Sequence, residues 1–448
     1  MKKFLIGVLS LAVLAAVAVL LYAFVPTSTR EITATSSGDD AALVERGRYL
    51  AAAGDCAACH TTATGKDFAG GLALASPLGA IYSTNITPDR DTGIGAYTLN
   101  DFDRAVRHGI SRKGGSLYPA MPYPSYARIS DDDVRALYAY FMHGVAPVKA
   151  NNSPADIPWP LSMRWPLAIW RKTFAPSPDS VAFDPKHYSD PRVARGAYLV
   201  QGLGHCGSCH TPREVTLQEQ ALDERSNAYL AGGQIIDGWY AVNLRGNTAD
   251  GLGKWSVQDI VDTLKSARNV HAAVIGAAMS DVVVHSTQHL TDNDLEAIAA
   301  YLKTLPAAPG DKAGFKNDPS TARALQAGKN DSRGAELYVD NCAACHRTDG
   351  TGYAHVFPAI AGNPSVLADN PASLIRLILG GSSLPPTASA PSALGMPGFA
   401  QRLSDDEVAQ LATFARNSFG NRAGKVDAAQ VTSIRKELSA TKADASPN

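Results

Sequence analysis

The sequence predicts an all-α protein of three tandem helical domains with long loops, preceded by one apolar helix. Two observations support this architecture. A cysteine-containing pattern occurs three times, as DCAACH (residues 55–60), HCGSCH (205–210) and NCAACH (341–346). Each copy is flanked by segments whose apolar residues recur with helical spacing, whereas no alternating or parallel β pattern is apparent. The copies lie too far apart for a solenoid, so they indicate separate domains.

The composition is that of a globular protein with several domains. The chain has 448 residues, of which 45% are hydrophobic and 19% charged. This length is enough for about three or four domains of ordinary size. The net charge of −1 offers nothing to neutralise a phosphate backbone, so we expect no nucleic-acid partner.

An uncharged apolar run covers residues 4–25, directly after Lys2 and Lys3. As a helix it would reach about 33 Å, enough to cross the hydrocarbon core of a bilayer. A cleaved secretory signal is the alternative, although its apolar region is normally shorter and ends in a small-x-small site. Both interpretations export the rest of the chain. We therefore predict a membrane anchor or signal in residues 1–30, and a location on the periplasmic side of a bacterial inner membrane.

Each repeat shows the same succession of predicted helices. An Arg-Gly pair lies in the first helix, just before the cysteines, in ERGRYLAAAGDC, ARGAYLVQGLGHC and SRGAELYVDNC. A second helix follows a loop-rich stretch, and a third closes the repeat. The closing helices all begin with a capping-box pattern, at Ser130/Asp133, Thr291/Asp294 and Ser404/Glu407. The predicted domains are residues 42–146, 191–305 and 331–420.

The segments between and after the repeats are predicted to be linkers and a tail. Residues 147–190 are rich in proline and contain Trp159, Trp165 and Trp170. They either pack their aromatic rings across a domain joint or present a surface to a partner or the membrane interface. Residues 306–330 resemble a plain polar linker. Residues 421–448 lack a closing apolar pattern, and we expect the end of this tail to be mobile.

All six cysteines lie in Cys-x-x-Cys pairs, and a histidine follows each pair directly. Three disulfides would suit an exported protein but would leave the histidines unexplained. Zinc would need four ligands at each separate site, and a redox pair would need a βαβ setting. Covalent haem attachment uses every residue, since both thiols can add to the vinyl groups while the histidine binds the iron. The sequence therefore predicts three haems c, attached through Cys56, Cys59, Cys206, Cys209, Cys342 and Cys345 and ligated by His60, His210 and His346.

The second axial ligand of each iron is predicted to be a methionine. Met121, Met279 and Met396 each precede a closing helix, and we expect each in the loop before it. Core packing is the alternative role for these three and the expected role of Met142, whereas we expect Met163 to make a contact in the linker. Thioether ligation raises the haem potential, and two filled axial positions leave no place for a substrate. Such sites pass electrons.

The sequence contains no P-loop, dinucleotide fingerprint, nucleophile elbow or metalloprotease motif. The segment GTGY at residues 350–353 and the glycine pairs at 70, 114, 232 and 380 are interpreted as loops that lie against a haem. We therefore predict an electron relay that has no substrate-oxidising site of its own.

Several stretches resemble the three-haem cytochrome c subunit of bacterial membrane-bound alcohol, aldehyde and gluconate dehydrogenases. They are IYSTNITPDRDTGIGAYTLNDF, LYPAMPYPSYARISDDDVRALYAYFMHGV, HCGSCHTPRE, IDGWYAVNLRG and RTDGTGYAHVFPAIAGNP. The resemblance covers about residues 42 to 420, and it implies class I cytochrome c-like domains in which the cysteines, histidines and methionines named above hold the haems. It also implies a catalytic partner subunit of quinoprotein, flavoprotein or molybdenum type, and ubiquinone in the inner membrane as electron acceptor. The apolar N-terminus is the departure, because some members of this family have a cleavable signal.

Two functions of other classes remain open. One is a multihaem carrier that feeds a terminal oxidase without a dedicated dehydrogenase, and the other is a disulfide-linked binding module. Nothing in the sequence selects the substrate that the partner would oxidise.

Overall fold

The computed structural model describes residues 1–33, 40–274, 276–310 and 314–444. Helices are its dominant regular structure, and strands occur in this part of the chain only as short hairpins. The chain divides into two compact units, residues 1–184 and residues 185 onward. The boundaries of the three predicted domains remain predictions.

The first compact unit contains the apolar helix, the first repeat and part of the proline-rich segment. Its helices are α1 (Lys2–Phe24), α2 (Ala41–Ala53), α3 (Cys56–His60), α4 (Leu99–His108), α5 (Tyr123–Tyr126), α6 (Asp131–Ala139) and α7 (Trp165–Phe174). Its hairpin pairs β1 (Ala73–Ser76) with β2 (Gly79–Tyr82) in antiparallel register. Helix α1 has a mean hydropathy of 2.9 and is long and apolar enough to cross a membrane.

The second compact unit contains the other two repeats. Its helices are α8 (Pro191–Tyr198), α9 (Gly207–His210), α10 (Val257–Ser266), α11 (Ala277–His285), α12 (Asp292–Thr304), α13 (Ser320–Gln326), α14 (Arg333–Asn341), α15 (Ala343–His346), α16 (Pro364–Leu367), α17 (Ala372–Gly380), α18 (Asp405–Asn417) and α19 (Ala428–Asp444). Its antiparallel hairpins are β3 (Ile235–Ile236) with β4 (Trp239–Tyr240), and β5 (Ser382–Ser383) with β6 (Gly395–Met396).

The glycine of each Arg-Gly pair lies where two helices cross. Helices α2 and α6 pack together, as do α8 with α12 and α14 with α18. A Cβ atom on Gly47 would lie 1.9 Å from the Ala136 carbonyl oxygen, and one on Gly196 would lie 1.9 Å from that of Ala297. On Gly334 it would lie 2.6 Å from the Gln410 oxygen. The repeated glycine therefore permits a close backbone contact between the first and last helix of each repeat.

The arginine of each Arg-Gly pair binds a carboxylate in the first turn of the closing helix. The ion pairs are Arg46–Asp133 at 2.6 Å, Arg195–Asp294 at 2.7 Å and Arg333–Glu407 at 2.6 Å. The backbone N–H groups of the same three acidic residues donate to Ser130, Thr291 and Ser404, which confirms the predicted helix starts. The acidic residue whose N–H is bound by the N-cap side chain thus also ties the closing helix to the first helix.

Three features of the fold differ from the sequence-based expectations. The short hairpins were not predicted, because strands of two to four residues carry no detectable alternation. The predicted linker at 306–330 contains α13, whose Ala322 and Leu325 are buried. The predicted tail is also corrected, since α19 buries Val431 and Ile434 in the core of the third repeat. Residues 445–448, where mobility is expected, lie outside the described residues.

Candidate haem sites

Each cysteine pair occupies one helical turn together with its histidine. Helix α3 spans the whole first motif, Cys56–His60. In the other two motifs the first cysteine is the N-cap, and its carbonyl accepts the histidine N–H at 2.9 Å from both His210 and His346. Both thiols and the imidazole of a motif are therefore held on one short, regular backbone segment.

The imidazoles share one hydrogen-bonding arrangement. Nδ1 of His60 lies 2.6 Å from the Thr84 carbonyl oxygen, Nδ1 of His210 lies 2.7 Å from that of Val242, and Nδ1 of His346 lies 2.9 Å from that of Pro358. A carbonyl oxygen only accepts, so Nδ1 carries the proton and donates. Burial lowers the pKa of all three imidazoles and keeps them neutral. Each Nε2 therefore presents a lone pair suited to a metal ion.

At each site a glycine lies against the carbonyl group that accepts the hydrogen bond from the histidine Nδ1. We call these residues the bracing glycines. The N–H groups of Gly70 and Gly232 donate to the carbonyls of His60 and His210, both at 2.7 Å, and Gly352 donates to that of His346 at 3.1 Å. All three have positive φ, of 72°, 77° and 61°. A Cβ atom would lie 2.4 Å from the Thr84 carbonyl carbon, 2.9 Å from that of Val242 and 2.7 Å from the Pro358 oxygen. Only glycine fits so close to the carbonyl that orients the imidazole.

Comparisons with known proteins agree with this geometry. A cytochrome c family model matches residues 44–144 and 332–418, which contain the first and third motifs. The chain is 54% identical to the gluconate 2-dehydrogenase cytochrome c subunit of Pantoea cypripedii, over 88% of this chain and 90% of the relative. It belongs to the family of cytochrome c subunits of dehydrogenase complexes.

Two further relatives support the same family. The cytochrome c subunit of alcohol dehydrogenase (quinone) from Gluconobacter oxydans (strain 621H) is 54% identical over 88% of this chain and 83% of its own length. The fructose dehydrogenase cytochrome subunit of Gluconobacter japonicus is 40% identical, over 88% of this chain and 82% of its own length. The predicted family is therefore confirmed. As a cytochrome c subunit, the chain has an electron-transfer role and binds haem c covalently.

The thiols of this cytochrome c subunit suit covalent attachment. Burial raises the pKa of the first thiol in each pair, Cys56, Cys206 and Cys342, to about 12. The raised pKa disfavours the thiolate, which is the form that a metal ion would require as a ligand. No disulfide joins any of the six cysteines, all of which lie in the described residues.

The three candidate methionine ligands lie in three different settings. Met121 lies in a bend before α5, where its N–H donates to the Tyr118 carbonyl at 3.1 Å. Met396 lies in β6, opposite Ser382. Met279, which we expected in a loop, lies instead in α11 and packs on a small cluster with Val274 and Val283. The reason is local, since Pro119 and Pro122 flank Met121 and Pro397 follows Met396, whereas residues 277–285 contain no proline.

A buried hydroxyl beside the first site also fits a bound cofactor. Tyr123 is fully buried, and its hydroxyl has no hydrogen-bond partner in the described part of the chain. It comes two residues after Met121, and burial raises its pKa. An unsatisfied buried donor indicates a polar group of a ligand, such as a haem carboxylate. Together with the thiols and the Nε2 lone pairs, this donor set fits haem c.

Proposed function

We propose that the chain is the three-haem electron-transfer subunit of a membrane-bound periplasmic dehydrogenase, and that it relays electrons from the catalytic subunit to ubiquinone. The observation that carries the proposal is the identical arrangement at the three motifs. Each has two thiols on one turn, a neutral imidazole with Nδ1 bonded to a carbonyl, and a glycine against that carbonyl. Three equivalent sets of donors support three equivalent haems, one in each of the proposed domains 42–146, 191–305 and 331–420.

The chain's own residues hold and orient the cofactor. In each site the two cysteine thiols would hold the haem covalently, and the histidine Nε2 and a methionine sulfur would bind its iron: His60 with Met121, His210 with Met279, and His346 with Met396. When bound, haem c supplies one-electron transfer at its iron. The Nδ1 bond orients each imidazole and would leave its Nε2 free to bind the iron.

The partner and the acceptor are proposed from the relatives and from α1. The relatives are subunits of gluconate, alcohol and fructose dehydrogenases, which supports a catalytic partner of that kind. One of them belongs to an alcohol dehydrogenase named for quinone, which supports a quinone acceptor. Helix α1 supports attachment to the inner membrane, with the haem sites on the periplasmic side.

Purification from the native membrane tests the proposal. We expect the chain to leave the membrane in detergent together with a larger catalytic subunit. Adding that subunit's substrate should reduce all the haem and then a ubiquinone analogue. A chain that purifies alone and is oxidised only by a terminal oxidase would contradict the proposal and favour the free electron carrier.

A further inference from the structure

Four exposed apolar side chains of the first compact unit lie on two neighbouring segments, the β1–β2 hairpin and residues 159–163. Beyond Val25, the large apolar side chains that are exposed in this unit's described residues are Leu78, Trp159, Leu161 and Met163, at 41%, 80%, 54% and 40%. The backbones of Ala80 and Asp156 pair with each other, so the tip of the β1–β2 hairpin lies beside the start of the tryptophan segment. We call these four side chains the interfacial surface.

Helix α7, which follows this surface directly, is fastened to the end of α1. The Lys172 ammonium donates to the carbonyls of Tyr22 and Val25, the latter at 2.6 Å. Arg171 donates to the Thr27 hydroxyl at 3.0 Å. Carbonyl groups at the C-terminal end of a helix need such donors, and the positive charge of a lysine there also interacts favourably with the helix dipole. Helix α7 is therefore fixed to the place where α1 ends.

This attachment limits how far the interfacial surface can lie from the membrane. A ten-residue helix such as α7 is about 15 Å long, so its start lies within about that distance of Lys172. The headgroup region on each side of a bilayer is about 5 to 8 Å thick, so a helix of this length that starts at the end of α1 is long enough to cross it. Tryptophan next to basic residues is the composition that favours this region, because the ring is amphipathic and the cation remains hydrated. The interfacial surface therefore adjoins a helix that is fixed to the end of α1, and it has the chemistry of a membrane-contact surface.

The same helix contacts the first candidate haem site. The ring of Trp170 lies edge-on to Tyr123, with 6.3 Å between centroids. The Tyr123 N–H donates to the carbonyl of Met121 at 2.8 Å. A continuous set of contacts thus runs from the end of α1 through α7 to the backbone of the candidate axial ligand.

We infer that the interfacial surface rests in the headgroup layer of the bilayer and holds the first haem site at the membrane. From there two successive one-electron transfers, with two protons taken up from water, would reduce quinone dissolved in the bilayer to quinol. The electrons come from the substrate of the catalytic partner, so this step rests on the proposed function. The occupant of the surface is a phospholipid headgroup layer, and the chain binds it alongside α1.

Thiol labelling tests the membrane contact directly. In haem-loaded protein the native cysteines are consumed by thioether bonds, so an introduced cysteine is labelled selectively. Leu161→Cys is compared with Val215→Cys, which replaces an apolar residue of the second compact unit that is 97% exposed. In vesicles of phosphatidylethanolamine and phosphatidylglycerol, a charged maleimide should react about tenfold more slowly at position 161. Exposure alone accounts for about a twofold difference. Rates within twofold of each other would overturn the inference, and wild-type protein gives the background.

Activity ratios test the consequence for quinone. In the reconstituted complex, the double variant Trp159→Ser, Leu161→Ser should lower the ratio of quinone to ferricyanide reduction about fivefold. Val215→Ser should leave this ratio unchanged. An unchanged ratio in the double variant would overturn the assignment of the first site as the quinone-facing one. If wild-type complex fails to reduce quinone, the proposed function is wrong, while the labelling rates still decide whether the surface contacts the membrane.

Discussion

The histidine side and the methionine side of the candidate haem sites differ in how uniform they are. On the histidine side, all three motifs share the helical turn, the Nδ1–carbonyl bond and the bracing glycine. On the methionine side, Met121 lies in a bend, Met279 in a helix and Met396 in a strand. The comparison shows that local backbone geometry positions a ligand that belongs to a six-residue motif. A ligand supplied by a distant loop depends on the fold around it.

The largest predicted effect concerns the histidine side. Replacing His60, His210 or His346 by alanine should each remove one haem, about one third of the haem absorbance in alkaline pyridine. The losses should be equal because the three imidazoles have the same surroundings. His285→Ala, in α11, is the control and should retain all the haem. Unequal haem losses among the three variants would contradict the equivalence of the three histidine sites.

The methionine side is tested through the midpoint potentials of the haems. Met121→His and Met396→His should lower the midpoint potential of one haem each by about 100 mV or more, because imidazole replaces the thioether. Spectroelectrochemical titration measures this shift, and Met142→Leu is a control outside the proposed ligand set.

Met279→His sharpens the comparison, because its helical setting differs from the other two. We predict a potential shift of the same sign with an additional loss of stability, since the imidazole replaces a side chain packed against Val274 and Val283. If Met279→His leaves all three potentials unchanged, the second repeat takes its axial ligand from another residue.

Alanine in place of the glycine at each helix crossing should destabilise the protein most where the two helix backbones lie closest together. Gly47→Ala and Gly196→Ala would place a methyl group 1.9 Å from a carbonyl oxygen, against 2.6 Å for Gly334→Ala. We expect the first two to lower the free energy of unfolding by about 3 kcal/mol and the third by about 1 kcal/mol. Denaturant unfolding measures the difference. Gly114→Ala is a reference with open space around the added methyl, although its positive φ adds strain.

The smallest effect is a pH dependence in the third repeat. The hydrogen bond from Arg333 holds the pKa of Glu407 below its ordinary value of 4.5. A carboxyl with a lowered folded-state pKa stabilises the protein above that ordinary value, and this stability is lost as the pH falls below it. Glu407→Gln should therefore reduce the loss of thermal stability between about pH 5 and pH 3. The neighbouring Asp406→Asn is the control, and an equal response in both variants would contradict the assignment.

Local patterns predicted part of this molecule well. The capped starts of α6, α12 and α18 follow from Ser or Thr three residues before an acidic residue, a pattern that acts through adjacent backbone. The motif turns followed from cysteine and histidine spacing alone. The Arg-Gly pair was visible as a repeat, but its role required the structure, because its partners lie in a helix far along the chain.

Other features had no usable local signal. The bracing glycines, Gly70, Gly232 and Gly352, follow their histidines at three different distances, so no fixed spacing marks them. Helix α19 has its apolar residues at 431, 434 and 438, a helical pattern too short to distinguish from a polar tail. Met279 lies in α11 rather than in a loop, because a position before the closing helix does not determine the local secondary structure.

The most direct test of the three-haem assignment is mass spectrometry of the purified chain after proteolysis. We predict three haem-modified peptides, which contain residues 56–60, 206–210 and 342–346, and no unmodified form of any of them. Recovery of any of these peptides without haem, or with its cysteines joined as a disulfide, would contradict the assignment of three equivalent haem sites.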